Sequence, residues 1–402
     1  MRKSFIEYYQ PTEEEFNEMW NQGIFIVDAN VLLNLYRYTS ITSSRLLNIL
    51  KTINDRLWLP HQVGLEYQRN RLKVIQKQTD SYKDIIDLLR NIISRIENDL
   101  NSFKKHPFLN VEGFFDKISR QINSVIAEIQ RYEKDHQDIS KHDTIRDEIS
   151  TIFDGKVGIP YSESALIEII KDGEKRYQKK IPPGFEDAKR KNDNREYGDL
   201  ILWKQIIDYA IKAKKPIIFI TDDRKEDWWY EFNGKTIGPR IELIREVYDN
   251  ANVSFYMYKP DVFIEYAQKY FNIPIEDSTT AAIKEIQEVR AQERIIDKQD
   301  IEMKMKKLAD SYFQLDELSN EIKTIRNNIH NLEGQILIEK DIEKATEKKQ
   351  EKVRLSIALS LFEERKKIVE FSMLKDKIQL QFASPALTTK EIIDMATLNP
   401  EN

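Results

Sequence analysis

Asp28 closes the apolar run Gly23-Ile24-Phe25-Ile26-Val27, and the pair Asp222-Asp223 follows Pro216-Ile217-Ile218-Phe219-Ile220-Thr221 in the same manner. Asp199 opens the amphipathic stretch leading into the second of these runs, and Glu66 lies early in the helical stretch behind Leu57-Trp58-Leu59. If the runs are neighbouring parallel strands, their carboxyl ends share one crevice and the acids meet there. Gathered carboxylates repel one another unless positive charge sits among them, so such a cluster implies divalent cations. An all-oxygen donor set without Cys or His suits the hard ions Mg²⁺ and Mn²⁺. A pair of them about 3.5–4 Å apart would activate a water and stabilise the leaving oxygen of a phosphodiester. Helix capping is the competing reading, since an Asp behind a strand often only caps the next helix, and Asp199 is the most open to it. Strand-Asp-x-Asn at one end of the region and strand-Thr-Asp-Asp at the other are more than capping requires.

The elements that must hold these acids are legible from hydrophobic patterning. The unbroken β-branched and aromatic runs at 23–27 and 216–220, the later run Val253 to Met257, and the weaker Leu57-Trp58-Leu59 alternate with helical stretches. This pattern predicts an α/β fold with a parallel sheet flanked by helices on both faces. From about residue 75 to 155 the pattern is helical, with Leu88, Leu89, Ile92, Ile93, Ile96 and Leu100 at helix spacing, which predicts a helical insertion forming a cap or arm. Between Pro274 and Pro385 there is no proline and one glycine, Gly334, so this stretch reads as long helix. Ile301, Met305, Leu308, Tyr312 and Leu315, then Leu318, Ile322, Ile325, Ile329, Leu332 and Ile336, keep the three–four rhythm of a coiled-coil seam. Its partner is either another copy or the chain's own second helix, Val353 to Leu380. The organisation predicted is a catalytic-type domain over 1–272, a coiled-coil or helical-hairpin region over 275–384, and a tail over 385–402.

Composition narrows the function further. The 402 residues are 40% hydrophobic and 33% charged, with a net charge of -5, so any nucleic-acid contact must come from a local basic patch. Arg71 and Arg195 are the leading candidates for phosphate contact, with Tyr36, Arg37, Arg69, Lys73 and Lys189-Arg190-Lys191 behind them; ordinary solvated faces are the alternative. Trp228-Trp229 would either stack on an unpaired base or pack in the core. The absence of cysteine excludes disulfides and thiolate zinc sites. His61, His106, His136, His142 and His330 form no HExxH spacing, there is no Gly-x-Ser-x-Gly elbow, and Gly234-Lys235-Thr236 lacks the upstream glycine of a phosphate-binding loop. Asn233-Gly234 instead reads as a tight turn. The opening MRKSFIEYYQPTEEEF has no apolar core of a signal peptide and no run spans a bilayer, so a cytoplasmic protein without membrane contact is expected.

The segments IFIVDANVLLNLYRY, RLWLPHQVGLEYQRNR, EYGDLILWKQII and PIIFITDDRKEDWW, taken in order, resemble the successive motifs of the PIN-like domain family, a branch of the PIN nuclease superfamily. The resemblance covers about residues 20–272. It implies a PIN-like sheet in which Asp28, Glu66, Asp199 and Asp223 are the catalytic, metal-holding carboxylates, with Asp222 as the competing choice for the last position. Asn30 would steady the loop carrying Asp28, Thr221 and Asp223 would form the Thr-x-Asp motif, and Asp227 would be an outer ligand. The implied activity is Mg²⁺- or Mn²⁺-dependent endonucleolytic cleavage, of single-stranded RNA before DNA. The helical tail adds the expectation of a homo-oligomer or a protein partner, as in toxin or phage-defence systems. Two other readings stand beside it: an inactive head on a coiled-coil scaffold, and an aspartyl-phosphate phosphatase, against which Asn30 stands where that chemistry needs an acid.

Overall fold

The computed structural model describes residues 1–136, 142–186, 195–273 and 277–383. Along the chain the main elements are α1 (Glu13–Gln22), β1 (Ile24–Val27), α2 (Ala29–Asn34), α3 (Ser40–Thr52), β2 (Leu57–Trp58), α4 (His61–Asn101), α5 (Val111–His136), α6 (Thr144–Ile152) and α7 (Glu163–Gln178). They continue with α8 (Gly198–Ala213), β3 (Ile217–Ile220), β4 (Trp229–Phe232), β5 (Lys235–Pro239), α9 (Ile241–Ala251), β6 (Phe255–Tyr258), α10 (Pro260–Phe271), α11 (Asp277–Ile338) and α12 (Ile342–Ala383). The chain divides into two compact units, 1–288 and 289 onward.

The first unit is α/β. Its four-stranded sheet has the order β2-β1-β3-β6 and every pairing is parallel. Residues of β1 and β3 are buried throughout, which is why both strands read as unbroken apolar runs rather than alternating ones. Register sets Ile24 opposite Ile217 and Val27 opposite Ile220. The ladder continues one step past the strands, with Asp28 N–H donating to Ile220 O at 2.9 Å and Thr221 N–H to Tyr258 O at 3.1 Å. Asp28 and Thr221 are therefore fixed side by side at the carboxyl edge. Behind the sheet, fully buried Trp20 packs against Phe25, Tyr258, Phe263 and Tyr270, and its indole N–H reaches Tyr258 Oη at 3.1 Å. Such a buried aromatic cluster anchors α1 and α10 to one end of the sheet.

The helical insertion is a long antiparallel arm of α4 and α5, followed by α6. A two-stranded hairpin, β4 with β5, turns on Asn233 and Gly234, whose φ values of 50° and 71° are the positive pair a two-residue turn demands. The sequence pattern marks this turn but not the strands around it, because β4 and β5 are short and largely exposed. Among the described residues, no helix is long and apolar enough to cross a membrane.

The first compact unit runs to Glu288. The first turns of α11 belong with the head: Glu285 accepts hydrogen bonds from Thr39 N–H at 2.6 Å and Thr39 Oγ1 at 2.7 Å, and Gln287 reaches Asp261 at 3.2 Å. In the second unit, α11 and α12 form an antiparallel hairpin. Lys307–Asp376, Arg326–Glu363, Lys352–Glu333 and Lys348–Glu339 pair at 2.6–3.0 Å in reversed order along the two helices. Leu308 is buried among Ile301, Met305, Tyr312 and Met373. The coiled-coil seam of α11 is thus covered by the chain's own second helix.

Candidate active site

Asp28 is the centre of the site. It caps α2, its Oδ1 accepting from Ala29 N–H at 2.6 Å, so the capping and site readings of this residue coincide. Its Oδ2 accepts from Asn30 Nδ2 and from Thr221 Oγ1, each at 2.6 Å. Asn30 also donates to Thr221 Oγ1 at 3.1 Å and accepts from Asp222 N–H at 3.0 Å, tying the end of β1 to the end of β3. Thr221, fully buried, spends its single proton on Asp28 and accepts from Asn30 and from Asp223 N–H at 3.0 Å. Burial pushes the Asp28 carboxyl up to about 8; the Thr221 hydrogen bond opposes this, while the charges of Glu66, Asp199 and Asp223 add to it. Glu66, Asp199 and Asp223 therefore all lie near enough to act on the Asp28 carboxyl.

The doubled acid separates into two roles. Asp223 faces Asp199, with the Lys225 ammonium 3.1 Å from Asp223 Oδ2 and 3.1 Å from Asp199 Oδ2. Burial raises the Asp223 carboxyl, Lys225 lowers it, and Asp199 raises it again. Asp222 instead turns toward α2, where its Oδ2 accepts from Asn34 Nδ2 at 3.0 Å. Asp199 also accepts from the indole N–H of Trp228 at 3.3 Å. Trp228 and Trp229 are both buried, so they pack in the core, and Trp228 orients Asp199 from there. Glu66 reaches the site from α4, held by Gln62 Nε2 at 2.6 Å. It meets the start of α8 at Gly198, where a Cβ would stand 2.8 Å from Glu66 Oε1. Gly198→Ala should leave stability within about 1 kcal/mol, because the flexible carboxylate can give way. Any activity that depends on the placement of Glu66 should nevertheless fall at least about tenfold, since displacing a positioned group by an ångström is costly. Chemical denaturation and an activity assay on the one variant separate the two effects.

Asp227 is fully buried beneath Asp199. Its Oδ2 accepts from Gly184 N–H at 2.8 Å and Glu186 N–H at 3.3 Å, so it anchors the loop beside Asp199, while its Oδ1 has no hydrogen-bond partner among the described residues. Burial, reinforced by the charge of Asp199, pushes it up to about 7.

Arg71 lies elsewhere. Its guanidinium is buried against Asp143, which also accepts from Tyr36 Oη at 2.8 and 3.0 Å and caps α6 through Arg146 N–H. A lone arginine in a polar stretch looks like a phosphate contact, but the insertion supplies it with an acid 72 residues on. Arg71→Ala should cost about 3 kcal/mol in urea unfolding, because Asp143 would stay buried without the guanidinium against it, held only by the hydrogen bonds from Tyr36 and Arg146 N–H. Tyr36 belongs to the same buried group, Arg37 donates to Asn34 Oδ1 at 3.1 Å, and Arg69 and Lys73 are exposed. The side chain of Arg195 and the whole of Lys189-Arg190-Lys191 lie outside the described residues.

A family model described as a PIN like domain matches residues 24–243, more than half of the chain and the segment that carries every one of these acids. The chain belongs to the PIN-like domain family. No curated protein and no solved structure matches it. In this PIN-like head the donor chemistry fits a hard divalent cation: the site is made of carboxylates, Asp28 and Asp227 are held against their charge by burial, and Asp227 Oδ1 is orphaned. Among the described residues, no three carboxylates surround one point closely enough to hold an ion. Lys225 sits between Asp199 and Asp223, and Thr221 with Asn30 holds Asp28. Sequence reading missed Lys225; the signal was a lysine two residues beyond Asp223 in Thr-Asp-Asp-Arg-Lys-Glu-Asp.

Proposed function

We propose that this PIN-like head is a divalent-cation-dependent endonuclease that hydrolyses phosphodiester bonds, with single-stranded RNA as the preferred substrate and Mg²⁺ or Mn²⁺, in one or two copies, as cofactor. The observation carrying the reading is the placement of Asp28 beside Thr221 at the carboxyl edge of a parallel sheet, with Asp223 following on the same strand end and sharing Lys225 with Asp199. Asp28, Glu66, Asp199 and Asp223 would hold the cation, which when bound supplies the positive charge that activates water and stabilises a leaving oxygen. Asn30 and Thr221 fix Asp28, Trp228 orients Asp199, and Asp227 holds the adjoining loop. Lys225 neutralises Asp199 and Asp223 in the cation-free protein and yields them when the cation enters.

Lys225→Met therefore removes a competitor. Mn²⁺ affinity, measured by calorimetry, should rise at least about threefold, while stability in EDTA should fall by about 1–3 kcal/mol as the two acids lose their counter-charge. Weaker Mn²⁺ binding in this variant would refute the role. The activity itself is tested with labelled single-stranded RNA, single-stranded DNA and duplex DNA in Mn²⁺, Mg²⁺ or EDTA. Cutting of RNA that requires either ion supports the proposal; cutting in EDTA, or none under any condition, opposes it.

A further inference from the structure

Arg71 is committed to Asp143, so positive charge for a polyanion has to come from elsewhere at the carboxyl edge of the sheet. Two cations flank the Asp222-Asp223 turn there. On the α2 side, Arg37 Nη1 donates to Asn34 Oδ1 at 3.1 Å, and the same amide donates through Nδ2 to Asp222 Oδ2 at 3.0 Å. A single amide thus separates the guanidinium from Asp222. On the β6 side, Lys259 follows Tyr258, the last residue of the strand, and is the N-cap residue of α10. Its ammonium lies over the Trp229 ring, 5.3 Å from the centroid, and the Trp229 indole N–H holds Asp223 O at 2.6 Å.

The two cations are set across the sheet. β1 and β6 lie on either side of β3, so a strand spacing of about 4.8 Å puts their ends about 10 Å apart with the Asp222-Asp223 turn between them. The ground between is acidic, and its own cation, Lys225, is taken up by Asp199 and Asp223. A strand of phosphates therefore needs positive charge outside the carboxylate cluster. Both flanking side chains are half-buried and already held, by Asn34 and by the Trp229 ring, so little rotamer freedom is lost on binding. We propose that Arg37 and Lys259 are the phosphate-contacting pair of this site. A single nucleic-acid strand crosses the ends of β1, β3 and β6, with one backbone phosphate on Arg37, one on Lys259, and the phosphate to be cut between them over Asp28 and Asp223. The inference rests on the nuclease reading of the acids and adds to it the path of the strand. Phosphate contacts carry no base information, so the pair positions the strand without selecting its sequence.

The test is binding of a labelled single-stranded RNA of about 12 nucleotides to the full chain in EDTA, followed by fluorescence anisotropy at salt from about 0.05 to 0.2 M. Lys225 neutralises Asp199 and Asp223 in the cation-free protein, so binding does not wait on the metal. Each phosphate contact to a single strand contributes about 0.7 to the slope of log K against log salt, which amounts to about eightfold in affinity at 0.05 M. Arg37→Met and Lys259→Met should each weaken binding by about that factor and each lower the slope by about 0.7. Lys212→Met, an exposed cation in the last turn of α8 at the opposite edge of the sheet, should change neither. The slope separates contact from structure, because a variant that merely distorts the turn loses affinity at every salt with its slope intact. Unchanged slopes in both variants, or no binding by wild type at the lowest salt, would overturn the proposal. The nuclease reading fails separately: cutting with unaltered slopes removes the pair and keeps the activity, whereas lowered slopes with no cutting in Mn²⁺ or Mg²⁺ keep the pair and remove the activity.

Discussion

Asp28→Asn should reduce cation-dependent cleavage of single-stranded RNA at least about a hundredfold, the scale on which losing one electrostatic partner of a transition state slows an enzyme. The change is nearly isosteric. An asparagine at this position can still accept from Ala29 N–H, but its Nδ2 would face the Asn30 amide and the Thr221 hydroxyl, both donors to Asp28 Oδ2, so the connection between β1 and β3 rests on the backbone bond to Ile220 O and on Asn30 with Asp222 N–H. What disappears is the buried carboxyl among Glu66, Asp199 and Asp223 that would ionise when a cation binds. The fold should not suffer, because replacing a buried carboxylate surrounded by others removes a desolvation cost. The variant should therefore be inactive and folded, with a stability in EDTA within about 2 kcal/mol of wild type, since the relieved desolvation offsets the lost hydrogen bonds. Single-turnover cleavage and urea unfolding on the same preparation check both halves. Loss of activity accompanied by loss of fold would assign Asp28 a structural role instead.

The cation-free protein should lose stability as pH rises from about 5 to about 8, the reverse of the behaviour that paired carboxylates produce. Burial raises Asp28 from 3.8 to about 8 and Asp227 from 3.8 to about 7. A raised carboxyl keeps a proton in the folded state that the unfolded chain has already released. Stability from that proton is complete below the unfolded value and is lost as pH climbs through the folded one. Each retained proton contributes a slope of about -1.4 kcal/mol per pH unit within its window, which ends near pH 7 for Asp227 and near pH 8 for Asp28. Urea unfolding in EDTA at pH 5, 6, 7 and 8 measures the slope. Asp28→Asn should flatten it by about one proton's worth, and saturating Mn²⁺ should flatten or reverse it, because a cation binds the ionised form. A wild-type stability that climbs steadily across this range would contradict the burial of these acids.

The strands that carry the site were legible because they are buried on both faces. Ile24 to Val27 and Ile217 to Ile220 have no solvent-facing positions, so each appears as an apolar run with an acid behind it. The parallel order of the sheet then follows from alternation of strands with helices, and the meeting of Asp28 with Thr221 follows from register. The cations were not legible in this way. A lysine or arginine carries the same charge wherever it folds, and only tertiary contacts sent Arg71 to Asp143 and Lys225 to Asp199 and Asp223. The doubled Asp222-Asp223 was ambiguous for a related reason. Successive residues diverge in direction, and Asn34 on α2 and Lys225 in the following loop decide which acid goes where. The glycine that lets Glu66 approach the start of α8 is equally silent in sequence, since Gly198 acts through a neighbour 132 positions away.

The most direct test is calorimetric titration of Mn²⁺ into the EDTA-stripped full chain, alongside Asp28→Asn and Asp223→Asn, at pH 7.5. Saturable binding by wild type that raises its melting temperature, with both responses lost or weakened at least about tenfold in each variant, is the predicted result. Binding undiminished in both variants, or no binding by wild type at millimolar Mn²⁺, would contradict a cation site built on these carboxylates.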